Sequence, residues 1–145
     1  MTILKGNSVG GYFDNAVVVD VVTDLNTDGC DAVLSFGEWS GRAPLIDGAA
    51  TFTFTKEETD RFAYGDYYAT ISLAHGDYYA TVADGLIMSV TDSPAEGRLA
   101  NAVTVNPAGI LRGVEWDETG TIASLRDFLA KVGVALGATV ERRPQ

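Results

Sequence analysis

The chain has little of what chemistry usually requires. Its 145 residues include one cysteine, Cys30, and one histidine, His75. A single thiol cannot close an internal disulfide, and one thiol with one imidazole makes neither a metal cluster nor a redox pair. The dispersed glycines form no phosphate- or dinucleotide-binding pattern. No run approaches 18 apolar residues, so nothing reads as a membrane-spanning helix. The opening MTILKGNSVGGYF lacks the apolar core of a signal peptide, which reads as a chain made and kept in a cytoplasm, or assembled there into something larger. Basic residues are also scarce. Ten Lys and Arg against 20 Asp and Glu leave a net charge of −10. Such a surface repels phosphate backbones and anionic lipids, which argues against nucleic-acid and membrane partners.

What is present is alternation. Val17, Val19 and Val21 face one way in the β-branched run 16–22, and Ala32, Leu34 and Phe36 do so in 31–36. Phe52 and Phe54 alternate with threonines in 49–55. Tyr67, Ala69, Ile71 and Leu73 share a face of 66–74. Tyr78, Ala80 and Val82 begin a further run, and Leu86, Met88 and Val90 another. His75-Gly76-Asp77 and Asp84-Gly85 read as turns, so 66–91 is expected to be a three-stranded meander. The hexapeptide GDYYAT occurs twice at a spacing of 11 residues. That is too short for a repeat architecture and reads as two hairpin strands written with one recipe.

Residues 2–5 are expected to be a short edge strand, and 37–42, with Trp39, a loop or strand end. Residues 55–63 (TKEETDRFA) break the period of two. Thr55 is an N-cap candidate followed by acidic residues, which predicts one or two helical turns crossing between sheets. About seven short strands at this spacing predict a β-sandwich over residues 1–91. Pro, Gly, Ser and charges mark 92–98 as a linker. In 99–145, strands at 99–105 and 109–116 are expected to form a hairpin around Asn106-Pro107-Ala108-Gly109. A helix follows over 122–136, then a last strand over 138–141. The fold class is mainly β: an antiparallel β-sandwich, then a small β-hairpin and a C-terminal α-helix.

Three groups of residues stand out as candidate sites. Asp24, Asn26 and Asp28, with Gly29, match the first half of a calcium loop. The second half fails, with Ala32 and Ser35 where the later ligands belong, so a polar turn is the alternative to calcium. Tyr68 and Tyr79 are expected on an exposed face, as a platform for a sugar or a protein, or as ordinary cross-strand aromatics. Ile122, Leu125, Phe128, Leu129, Val132 and Leu136 form an apolar helix face. It either packs on its own sandwich or joins copies of the chain in a homo-oligomer such as a trimer. His75 and the carboxylate pairs Glu57-Glu58 and Glu115/Asp117/Glu118 lie in turn or helix-start positions, where solvated or capping roles are normal.

Residues 16–91 resemble the N-terminal Ig-like domain of phage baseplate and tail proteins, the upper-baseplate type. The matching features are AVVVDVV, Asp24-Leu25, DAVLSF, the FTFTKEETDRFA strand and turn, Gly65-Asp66-Tyr67-Tyr68-Ala69-Thr70-Ile71, and Gly85-Leu86-Ile87-Met88-Ser89-Val90. The C-terminal part resembles short helical segments of phage fibre and head-fibre proteins. The resemblance implies an Ig-like sandwich and a non-enzymatic virion structural protein. It would be made in the host bacterial cytoplasm without cofactors and would bind itself and other virion proteins. The alternative is a carbohydrate- or ligand-binding sandwich module that uses exposed tyrosines.

Overall fold

Alternation builds two sheets around one core. A computed structural model of the chain describes residues 1–4, 16–91, 102–107 and 123–136. In chain order these hold β1 (Thr2–Leu4), β2 (Ala16–Val21), β3 (Asp31–Phe36), β4 (Trp39–Pro44), β5 (Ala49–Thr53), α1 (Lys56–Asp60), β6 (Gly65–His75), β7 (Tyr78–Thr91), β8 (Ala102–Val105) and α2 (Leu125–Leu136). One sheet runs β1-β7-β6-β3-β4 and the other β5-β2-β8. The result is mainly β and sandwich-like, as the strand spacing predicts.

The core draws on both sheets. Val17 and Val19 of β2 and Phe52 of β5 meet Ala32, Leu34 and Phe36 of β3 and Ala69, Ile71 and Leu73 of β6, with Phe54 between them. Each such large apolar side chain contributes about 1.5–3 kcal/mol on leaving water. These are the inward faces that the period of two assigns.

Two pairings are parallel, against the all-antiparallel expectation: β1 with β7 and β2 with β8. Hairpins enforce antiparallel neighbours, but these strands reach their partners after the chain has passed between sheets, which frees their direction. β8 was expected in a hairpin of a separate C-terminal segment. It instead extends the β5-β2 sheet, and Val105 enters the common core. The division at 92–98 therefore does not separate two cores. The second arm of the expected hairpin and the last strand, 138–141, lie outside the described residues.

The meander is corrected too. β7 is one strand of 14 residues, and Asp84-Gly85 lies inside it. Its register against β6 slips twice, between Ala69 and Ile71 and again before Ser72, each time with an extra residue on β7. These are β-bulges, and Gly85 at φ +71° supplies a backbone that other residues resist. Two insertions restore the parity, so Ala80 and Met88 still face the core.

Trp39 and its neighbours form strand β4 rather than a loop. The Phe36-Gly37-Glu38-Trp39 corner is a two-residue hairpin with Gly37 at φ +55°, the position where a type II′ turn wants glycine.

α2 begins three residues later than predicted, at Leu125. Ser124 Oγ accepts from the Asp127 N–H at 3.2 Å, an N-cap contact. The Asn26 carbonyl accepts the Leu125 N–H at 2.6 Å, and the Asn26 N–H donates to the Ala123 carbonyl at 3.0 Å. The loop after β2 thus holds the start of α2 while the helix packs on β6 and β7.

Candidate functional site

Among the described residues a concavity lies between the β3–β4 hairpin and the segment after α1. Its residues are brought there by two local devices. The first is the hairpin, which sets Phe36 and Trp39 opposite each other with ring centroids 5.3 Å apart. The Trp39 indole lies over Gly41, where a Cβ would come within 2.4 Å of its ring, so only glycine leaves room. The second device is α1. Thr55 Oγ1 accepts the Glu58 N–H at 3.1 Å, and Glu58 Oε1 accepts the Thr55 N–H at 3.0 Å, a capping box. The helix stops at Arg61, and the chain then turns Phe62 inward onto Phe36 and Phe54, at centroid distances of 5.3 and 6.2 Å.

Tyr67 closes the group. Its hydroxyl donates to the Ala63 carbonyl at 2.6 Å, which ties the post-helix segment to β6. The resulting cleft is about 440 Å³ and is lined by Phe36, Trp39, Phe62 and Tyr67, with Glu38 and Arg61 at its margin. That volume falls within the roughly 300–1,000 Å³ of small-molecule sites. The rings meet at tilted and edge-on angles, the arrangement aromatic quadrupoles favour. The cleft can hold a ring or apolar group against carbon surface and offer it one cation and one carboxylate.

The predicted sites fall elsewhere. Tyr68 and Tyr79 lie on the same outer face of the larger sheet, but Tyr79 stands opposite Ala74, six residues along β6 from Tyr68. At about 3.3 Å per residue the two are roughly 20 Å apart, too far for one platform. Tyr79 is also engaged, with its hydroxyl 3.1 Å from Arg42 Nη1.

Asp24, Asn26 and Asp28 are all exposed, and Asn26 Oδ1 already accepts the Asp28 N–H at 2.9 Å. The loop is a turn that clamps α2. Among the described residues no three His, Cys, Asp or Glu side chains gather as a metal site.

The helix face expected to join copies is occupied within the chain. Leu125, Phe128, Leu129 and Val132 are buried in the common core. Ile122 and the side chain of Leu136 lie outside the described residues. Of the two destinations the periodicity allows, the described part of the stripe takes the first and covers this chain's own sheets.

His75 sits at the end of β6 with Nδ1 3.2 Å from the Gly29 carbonyl, a contact between two turns. Cys30 is buried, and burial, reinforced by the charge of Asp31, pushes its thiol up to about 11 despite the opposing influence of Arg126. Such a thiol is protonated at neutral pH and is a poor nucleophile.

Sequence reasoning did not find the cleft. Its residues come from a stretch read as a loop, from a helix end and from a strand face assigned wholly to the core. The available signal was Gly-Glu between Phe36 and Trp39, a two-residue turn flanked by aromatics. No protein-family model matches the chain, and no curated protein matches it.

Proposed function

We propose that this chain is a non-enzymatic assembly module, a structural component of a phage or prophage virion of the baseplate, tail or head-fibre kind. It acts by binding copies of itself and other virion proteins. The observation that carries this reading is an exposed apolar pair. Tyr68 of β6 and Ile87 of β7 are register partners on the outer face of the larger sheet, 78% and 45% exposed. A large aromatic beside a large aliphatic group, both open to water, is the composition of an interface centre. The resemblance of residues 16–91 to upper-baseplate domains supplies the context. With the α2 stripe turned inward, the contact surface moves from the helix to this sheet face. Light scattering on the purified chain tests the reading. A defined oligomer is expected, reduced to monomer by Tyr68→Ser with Ile87→Ser. A wild-type monomer at every concentration would defeat self-assembly.

The second reading is a carbohydrate- or ligand-binding sandwich module. The aromatic cleft of about 440 Å³ favours it. In this form the reading rests on Trp39, Phe62 and Tyr67 and not on the separated Tyr68 and Tyr79.

A further inference from the structure

Each wall of the aromatic cleft brings one charged side chain to its mouth: Glu38 from the β3–β4 turn and Arg61 from the C-cap of α1. Among the described residues neither side chain has an ion-pair or hydrogen-bond partner. Both are exposed. One positive and one negative group leave the mouth without net charge, while the rings behind them offer carbon surface.

Few ligand classes fit both parts. A polyanion is repelled by a chain of net charge −10. A simple cation meets Arg61. A purely apolar ligand strips water from the guanidinium and the carboxylate and returns no hydrogen bond to either. A neutral polyhydroxylated ring satisfies all of these demands. Its hydroxyls donate to the carboxylate and accept from the guanidinium, whose five N–H groups form a fixed fork. Its C–H face packs on aromatic side chains. The volume, toward the small end of the range for ligand pockets, suits one ring of a longer chain.

We propose that the cleft between the β3–β4 hairpin and the end of α1 binds a neutral hexopyranose unit of a glycan, held by Trp39 and Tyr67 and oriented by Glu38 and Arg61. The proposal rests on the ligand-binding reading above. It goes beyond that reading in narrowing the ligand to a neutral hexopyranose and in naming the two side chains that select it.

The test is a titration of the full chain with neutral oligosaccharides built from glucose, galactose, mannose and N-acetylhexosamine units, followed by NMR at the Trp39 indole N–H. That signal is distinguished from the second tryptophan by Trp116→Phe. Arg61→Ala and Glu38→Gln alter only exposed side chains, so each variant is expected to fold. At least one glycan is expected to shift the Trp39 signal. Each of the two variants then weakens binding about tenfold or more, the loss of a hydrogen bond to a charged group. Tyr68→Ala leaves the affinity unchanged. Glycan binding that survives both cleft variants overturns the site and leaves a ligand-binding module that works elsewhere. A Trp39 shift with tetramethylammonium or indole, but with no glycan, overturns the sugar and leaves the cleft as a ligand site. Silence from every probe overturns this proposal and the ligand-binding reading together.

Discussion

Arg42 in β4 meets Tyr79 in β7 across two intervening strands: Nη1 lies 3.1 Å from the tyrosine hydroxyl, and the guanidinium carbon is 5.8 Å from the ring centroid. Arg42 Nε also donates to Asp31 Oδ2 at 2.5 Å. Neighbouring strands lie about 4.8 Å apart, so the two side chains together span roughly 14 Å and lie flat over β3 and β6. Val33 stands opposite Arg42, and Ala74 opposite Tyr79. Both are buried although they belong to the sheet face that points away from the common core. The bridge therefore roofs a small apolar patch, using the arginine stem as cover and its head as the tie.

This arrangement predicts a measurable coupling. A double-mutant cycle with Arg42→Ala and Tyr79→Leu, which removes both the ring and the hydroxyl, is read by urea denaturation and is expected to give about 0.5–1 kcal/mol between the two, the scale of a partly exposed cation–π and hydrogen-bond contact. Arg42→Ala alone costs more than the coupling, because the patch beneath loses its cover. Arg42→Lys does not recover the loss, since a point charge cannot serve Asp31 and Tyr79 from one planar fork. Strict additivity of the two substitutions would show that the contact contributes nothing.

Cys30 makes a pH-dependent contribution whose sign follows from its environment. Burial first, and the Asp31 charge second, raise the thiol from 9.0 to about 11. Below pH 9 it is protonated whether the chain is folded or not, and it adds no slope. Between pH 9 and 11 the unfolded chain gives up this proton while the fold keeps it. Stability therefore falls as pH rises, by on the order of 2–3 kcal/mol in all. Cys30→Ala is expected to flatten the difference in this window while lowering stability at neutral pH through the lost packing. Chemical denaturation at pH 7, 9, 10 and 11 for both proteins checks it. Parallel profiles would mean the thiol does not carry the effect.

Two of the three Asp-Gly pairs show how much of this fold could be read from the chain. Asp84-Gly85 sits between two alternating apolar runs and reads as a hairpin turn. Instead it forms a bulge within β7, because β6 is long enough to pair with both runs at once. Asp47-Gly48 has apolar residues only at its immediate flanks, yet it is the turn. Ile46 and Ala49 exchange backbone hydrogen bonds of 2.8 and 3.1 Å around it, with positive φ at both central residues. Local sequence fixes which backbone conformations are cheap. Partner length and sheet edges decide whether the chain reverses there. The same limit hid β4: its WSGRAP sequence carries no alternation, because an edge strand packs against few neighbours. It also hid the cleft, since no periodicity links Trp39 to Phe62. The inward faces of β2, β3 and β6, the Thr55 N-cap of α1 and the apolar face of α2 were legible, because each is encoded within its own element.

The Asp47-Gly48 turn yields a direct test. Gly48 has φ +81°, and a Cβ there would meet only the Val21 carbonyl at an ordinary 3.5 Å. Space is available, so the cost of Gly48→Ala is the left-handed backbone alone, about 1–2 kcal/mol. Gly48→Asn, which tolerates this region, is expected to lose less. Equal stability of all three proteins in thermal unfolding would mean that the turn has another backbone shape.

The placement of α2 separates a core helix from an interface helix. Phe128 and Leu129 are almost wholly buried within this chain, packed into a cluster that includes Leu73 and Met88. Phe128→Ala is therefore expected to destabilise the fold by about 3–5 kcal/mol, the cost of a cavity where a ring was lost. Unfolding of the variant remains a single transition, because the helix and the sheets share one core. An interface helix predicts the opposite pattern: a folded chain of near-normal melting temperature whose oligomer dissociates. Calorimetry and light scattering on the same sample distinguish the two. A Phe128→Ala chain that melts like the wild type but loses its oligomeric state would return this face to the surface of the protein.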